Sequence, residues 1–244
     1  MSFSRNIIYP LILGLGLVTA KPLEELPQVD QVKFRNHFRA SVEALQKKDY
    51  FDAILEANDA IAIYGESPAP YEVLTSIYIN LSMYSRAIET GERAVELQET
   101  PKLSAYFNLA EVYFVNDMYE KALSMFDKAL AITPEKKYYQ DHVLVNLIRF
   151  KQLISFQKLG DDAGYSNAVS KISEDEDNPL PLMSKVLSTI IDGDHKASAE
   201  FLARAKRIYR EEIALYEDAM NESGFNTLRV QSQLDDNLEQ LKTL

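Results

Sequence analysis

Residues 103–134 read LSAYFNLAEVYFVNDMYEKALSMFDKALAITP. Tyr106, Leu109 and Tyr113 recur at helical intervals in the first half, and Ala122, Phe126 and Ala129 do so in the second. Two helices joined by a short turn are therefore expected here. Within the second, Tyr119 stands three residues before Ala122, and the same step occurs from Tyr50 to Ala53, Tyr84 to Ala87 and Tyr165 to Ala168. The first three tyrosines are 34 and then 35 residues apart. That is the period of a helix pair that buries its faces by stacking on copies of itself.

Working outward, the preceding units follow the same plan. Phe34, Phe38, Val42 and Leu45 lie along one face of a helix ending near Lys47-Lys48-Asp49, and a second helix runs from Tyr50 to about Ile63, where Gly65 stops it. Tyr71, Leu74 and Tyr78, then Ala87 and Ala94, mark the next pair. After Pro134 the spacing stretches. A long helix is expected over Tyr138 to Leu159, closed by Gly160-Asp161-Asp162, with Tyr165-Ala168 opening a shorter partner as a fourth copy, 46 residues after the third. Glu174 to Asn178 reads as an acidic loop. Beyond Pro179-Leu180-Pro181 a fifth pair is expected over Leu182–Ile191 and His195–Met220, parted by Asp192-Gly193-Asp194. Leu228, Leu234, Leu238, Leu241 and Leu244 suit one more amphipathic helix, capping the array or frayed at its end.

Composition agrees with helices. The 8 Gly and 9 Pro among 244 residues are few breakers, while 46% hydrophobic and 26% charged residues are ordinary for a folded protein. Cysteine is absent, which removes disulfides, thiolate metal sites and a Cys nucleophile. A net charge of -11 argues against a nucleic-acid partner, whose phosphates are gripped by clustered Lys and Arg.

The first 20 residues differ from the rest. Arg5, an apolar stretch from Ile7 to Val18 and the small-residue end Val18-Thr19-Ala20 have the layout of a secretion signal cut after Ala20. The apolar part is too short to span a bilayer, so no stable membrane span is expected after cleavage. An uncleaved anchor, or a buried N-terminal helix of a cytosolic protein, is the alternative. Residues 21–33, with Pro22 and Pro27, read as an extended linker. The expected organisation is signal 1–20, linker 21–33, three regular repeats over 34–136, degenerate pairs over 137–220 and a tail or capping helix over 221–244.

Signatures of chemistry are missing. His37, His142 and His195 are far apart in sequence, and no metal-ligand spacing, nucleophile elbow or phosphate-binding glycine loop occurs. Glu174-Asp175-Glu176-Asp177 lacks the alternation and glycine of a calcium loop. Neither metal nor cofactor is expected, nor an enzyme. A rival reading puts a small-ligand or catalytic site at residues 138–220, where Asp141, His142, Arg149, Asp194 and His195 could converge. A third is self-association through the leucine-bearing tail.

Residues 34–136 resemble three tetratricopeptide repeats. Leu109, Ala110, Tyr113, Ala122, Phe126, Ala129 and Pro134 fall on the pattern of that family. The second unit departs from it with Gly91 at the aromatic position and Pro101 late, the first with Ala57 and Ala44 in place of the usual aromatic and Tyr. The resemblance implies an all-α fold, an α-solenoid of antiparallel helix pairs wound as a right-handed superhelix, whose first helices line a concave groove for a protein or peptide. By family offsets the groove takes Arg35, Phe38, Arg39, Val42, Leu45 and Gln46 from the first unit. Glu72, Val73, Ser76, Ile79 and Asn80 come from the second, and Ser104, Phe107, Asn108, Glu111, Phe114 and Val115 from the third. The Lys and Asn with which some members grip a C-terminal carboxylate are replaced by Phe38, Val42, Val73, Ser104 and Asn108. An apolar or amphipathic segment is the expected partner, held by an exported scaffold in a bacterial periplasm, in cell-envelope assembly.

Overall fold

Few residues in this chain can end a helix, so turns decide the architecture. The computed structural model describes residues 23–133, 139–172 and 178–225. Among them no strand occurs, and the helices follow one another as α1 (Gln28–Gln46), α2 (Tyr50–Ile63), α3 (Pro68–Asn80), α4 (Tyr84–Glu96), α5 (Leu103–Val115), α6 (Tyr119–Ala131), α7 (Tyr139–Leu159), α8 (Asp162–Ser170), α9 (Leu180–Ile191), α10 (His195–Ile208) and α11 (Ile213–Glu222). None of the described helices is long and apolar enough to cross a membrane. The expected signal over residues 1–20, Pro134, the Glu174–Asp177 run and the leucines from Leu228 onward lie outside the described residues.

The fold is an α-solenoid of antiparallel helix pairs, and one turn recurs in it. Lys48, Ser82, Asp117, Gly160 and Gly193 all have positive φ, from 54° to 75°, and each stands two residues before a second helix begins. A left-handed residue at this point lets the chain bond back onto the helix it has left. The Asp49 amide donates to Ala44 at 2.9 Å, Met83 to Tyr78 at 2.8 Å, Asp161 to Phe156 at 3.0 Å and Asp194 to Thr189 at 2.9 Å. Asp49, Asp161 and Asp194 then cap the next helix, accepting from the amides of Asp52, Gly164 and Ala197.

This turn corrects the register of the fourth pair. Five residues beyond the left-handed position come Ala53, Ala87 and Ala122, but also Tyr165 and Ser198. Tyr165 thus occupies the alanine place, and Tyr165-Ala168 is not a fourth copy of the Tyr-to-Ala step. Two further expectations change. Residues 23–33 are not extended: Leu23–Glu25 forms a 3-10 turn and α1 begins at Gln28, because Leu23 is buried with Phe34, Ala60 and Tyr64. The stretch His195–Met220 is two helices, broken at 209–212 although no Gly or Pro stands there.

The described residues divide into two compact units, 23–116 with 127–132, and 117–126 with 133, 139–172 and 178–225. In the first, helix pairs close on alanines: Ala53, Ala57, Ala60 and Ala87 are fully buried. Gly91 extends the device. A β-carbon there would lie 3.1 Å from Leu109 Cδ1 and 3.3 Å from Thr75 Cγ2, so α4 meets both α3 and α5 at this point. In the second unit α8, α9 and α11 pack on α7, with Tyr216 of α11 against Phe150 at 5.0 Å between ring centroids. Lys151 is completely buried there, its Nζ 3.4 Å from Glu222.

Candidate functional site

In the first unit α3 packs against both α1 and α5, so the first helices of successive pairs stand side by side. Residues four apart on α3 form one strip along it. Glu72, Ser76 and Asn80 make such a strip and meet a matching strip on α5. Ser104 Oγ donates to Glu72 Oε2 at 3.2 Å, and Asn108 Nδ2 donates to Ser76 Oγ at 3.5 Å. Ser76 Oγ in turn donates to the Glu72 carbonyl at 3.2 Å, and Asn80 Nδ2 to the Ser76 carbonyl at 2.7 Å. The result is a polar row crossing two helices.

Glu72 is the most constrained member. Gln98 Nε2 donates to its Oε1 at 3.5 Å, and Lys102 Nζ lies 3.8 Å from the same oxygen. Gln98 is itself fixed, since its Oε1 accepts from the Lys102 amide at 3.0 Å. Burial pushes the Glu72 carboxyl above its ordinary range, against the opposing pull of Lys102, Ser104 and Gln98. Tyr113 of α5 reaches across to α4 of the preceding pair, donating to Glu92 Oε1 at 2.6 Å, and burial together with that carboxylate raises the phenol far above its usual range.

The expected groove residues separate into two groups. Arg35 and Arg39 are exposed, while Phe38, Glu72, Ser76 and Asn108 are half-buried. Val42, Val73, Phe107, Glu111 and Phe114 are buried, at most 8% exposed. Phe38 stacks on Phe34 with centroids 6.3 Å apart, and Tyr64 meets Phe34 edge-on at 5.7 Å. The reachable face is accordingly more polar than the offsets suggest, because most of its apolar members are turned into the packing.

For the rival site, the side chains of Asp141 and His142 lie outside the described residues. Arg149 is exposed on α7, Asp194 is engaged as the α10 cap, and His195 Nδ1 is buried without a hydrogen-bond partner among the described residues. One grouping escaped the sequence. His37 of α1 faces Glu56 and Asp59 of α2, and only the hairpin brings them together. Glu56 and Asp59 at a three-residue step were the available signal.

Comparison with known proteins agrees with the architecture. A family model described as tetratricopeptide repeat matches residues 104–136. The DnaJ homolog subfamily C member 3 homolog of Dictyostelium discoideum is 28% identical over 115 residues, 46% of this chain. The match spans only 23% of that protein's length. The crystal structure of PilW, a widely conserved type IV pilus biogenesis factor, is similar with a TM-score of 0.57 at 16% identity, over 88% of this chain and 96% of PilW. That of YrrB, a tetratricopeptide protein with an unusual peptide-binding site, gives 0.54 at 13% identity, over 76% of this chain and 90% of YrrB. At such low identity the likeness is one of fold, and the fold it shows is an all-α solenoid of tetratricopeptide type.

Proposed function

We propose that the chain is a protein-binding scaffold, without catalytic activity of its own, that receives a polypeptide segment along α1, α3 and α5. The carrying observation is the polar row from Glu72 to Asn108, flanked by exposed Arg35 and Arg39 and half-buried Phe38. Amide and hydroxyl groups at regular steps suit the main chain of an extended segment, whose own N–H and C=O groups must be paired when covered. Phe38 offers the apolar anchor. Val42, Val73, Phe107, Glu111 and Phe114 support this face from beneath.

A photo-crosslinking residue at Ser76 or Asn108 tests the reading against one at exposed Glu89 on α4. The two inner positions should label the same partner and Glu89 should not. For that partner, the double variant Ser76→Ala, Asn108→Ala should bind about tenfold more weakly, a loss of about 1.4 kcal/mol. Equal labelling from all three positions sinks the proposal.

The same reading places the scaffold outside the cytosol. Its support is the signal-like layout of Arg5, Ile7–Val18 and Ala20. The bacterial periplasm is the proposed destination and cell-envelope assembly the proposed role. Cell fractionation with an antibody to the folded part decides it: uncut precursor confined to the cytosol removes export, and uncut precursor in the membrane fraction replaces a cleaved signal with an anchor.

A further inference from the structure

We propose that His37, Glu56 and Asp59 form a zinc(II) site clasping α1 to α2. Glu56 and Asp59, three residues apart, share one face of α2, and the hairpin sets that face against His37. His37 Nδ1 lies 2.7 Å from Glu56 Oε2 and 3.9 Å from Asp59 Oδ2, and one ligand atom from each residue falls within 4.8 Å of the others. Zinc bonds of about 2.0–2.2 Å in a tetrahedron put neighbouring ligand atoms roughly 3.4 Å apart. The two measured separations straddle that value, so small side-chain rotations suffice to reach it.

Charge points the same way. Two carboxylates share this imidazole, and among the described residues no Lys or Arg nitrogen lies within 4.0 Å of either. A divalent cation supplies the missing positive charge. The nitrogen ligand selects zinc over magnesium or calcium, which prefer oxygen alone. The side chains of His37 and Glu56 are about one-third exposed and that of Asp59 half, which leaves the fourth position to water and an open path for the ion. The neutral imidazole binds through the Nδ1 lone pair with its one ring proton on Nε2, so the tautomer with Nδ1 unprotonated is the one the metal selects.

Titration of the metal-free full chain with zinc chloride, followed by calorimetry and thermal unfolding, tests this site. One tight equivalent is expected, with a midpoint raised by several degrees at saturating zinc. His37→Ala and Glu56→Gln should each weaken that equivalent by about tenfold or more. Asp59→Asn disturbs only the 3.9 Å contact and gives an independent reading if the other variants unfold. The double variant His142→Ala, His195→Ala should bind as the parent does. Three results overturn the site: no zinc uptake by the parent, equal uptake by Asp59→Asn or His37→Ala, or displacement of zinc by magnesium chloride.

Discussion

At Glu72, one carboxylate answers two opposed demands. Burial favours its protonated form, while Lys102, Ser104 and Gln98 favour the charged one, and burial is the larger effect. The folded state thus holds the proton more tightly than the unfolded chain, whose carboxyl titrates near 4.5. The stability this gives is fully present below that pH and is lost as pH rises through the folded value. Glu72→Gln should erase the dependence. Its thermal midpoint relative to the parent should climb between pH 4.5 and neutrality, and a flat difference over that window refutes the burial argument. Glu72 was legible from the repeat offsets as a groove residue, but its burial was not. Successive residues on a helix lie about 100° apart, so Val73 turns fully into the packing while Glu72 beside it is half-buried. Offsets assign a side of a helix and leave open how closely the next helix covers it.

Helix pairs were legible because the period of small and apolar residues reports stacking. Register beyond Ala129 was not, since the recurring device is a backbone conformation and not a residue type. Lys48, Ser82 and Asp117 adopt the same left-handed turn as Gly160 and Gly193, and nothing in their side chains announces it. The break between α10 and α11 is hidden for a related reason: Tyr216 packs on Phe150, and tertiary contact overrides a locally helical stretch. Gly91 shows the opposite case, a departure from the repeat pattern with a physical cause. The family's aromatic cannot fit where a single β-carbon already meets Leu109 and Thr75. Gly91→Phe should cost about 1–3 kcal/mol or displace α4, whereas Gly91→Ala should change stability by less than about 1 kcal/mol, helix propensity offsetting the crowding. Urea unfolding of both variants checks this. A parent-like midpoint for Gly91→Phe would mean that α4 does not approach α5 as described.

Across the whole molecule, the proposed export has a consequence for the first helix pair. A cut after Ala20 leaves only Lys21 and Pro22 ahead of Leu23, and Leu23 is packed with Phe34, Ala60 and Tyr64, with Leu26, Phe38 and Ile63 around them. The proposed processing site therefore lies, in sequence, only two residues before a member of a hydrophobic cluster. Cleavage one helical turn further on would strip the cluster of Leu23, and the loss of one buried leucine typically costs about 2 kcal/mol or more. If the chain is cut there, the position of the cut and the stability of the first unit are coupled. Mass spectrometry of the mature protein should give Lys21 as the first residue. A protein begun at Val29 should melt several degrees below one begun at Lys21, because it lacks Leu23 and Leu26. Equal midpoints for the two would show that the cluster does not depend on these residues, and the coupling between processing and folding would fall with it.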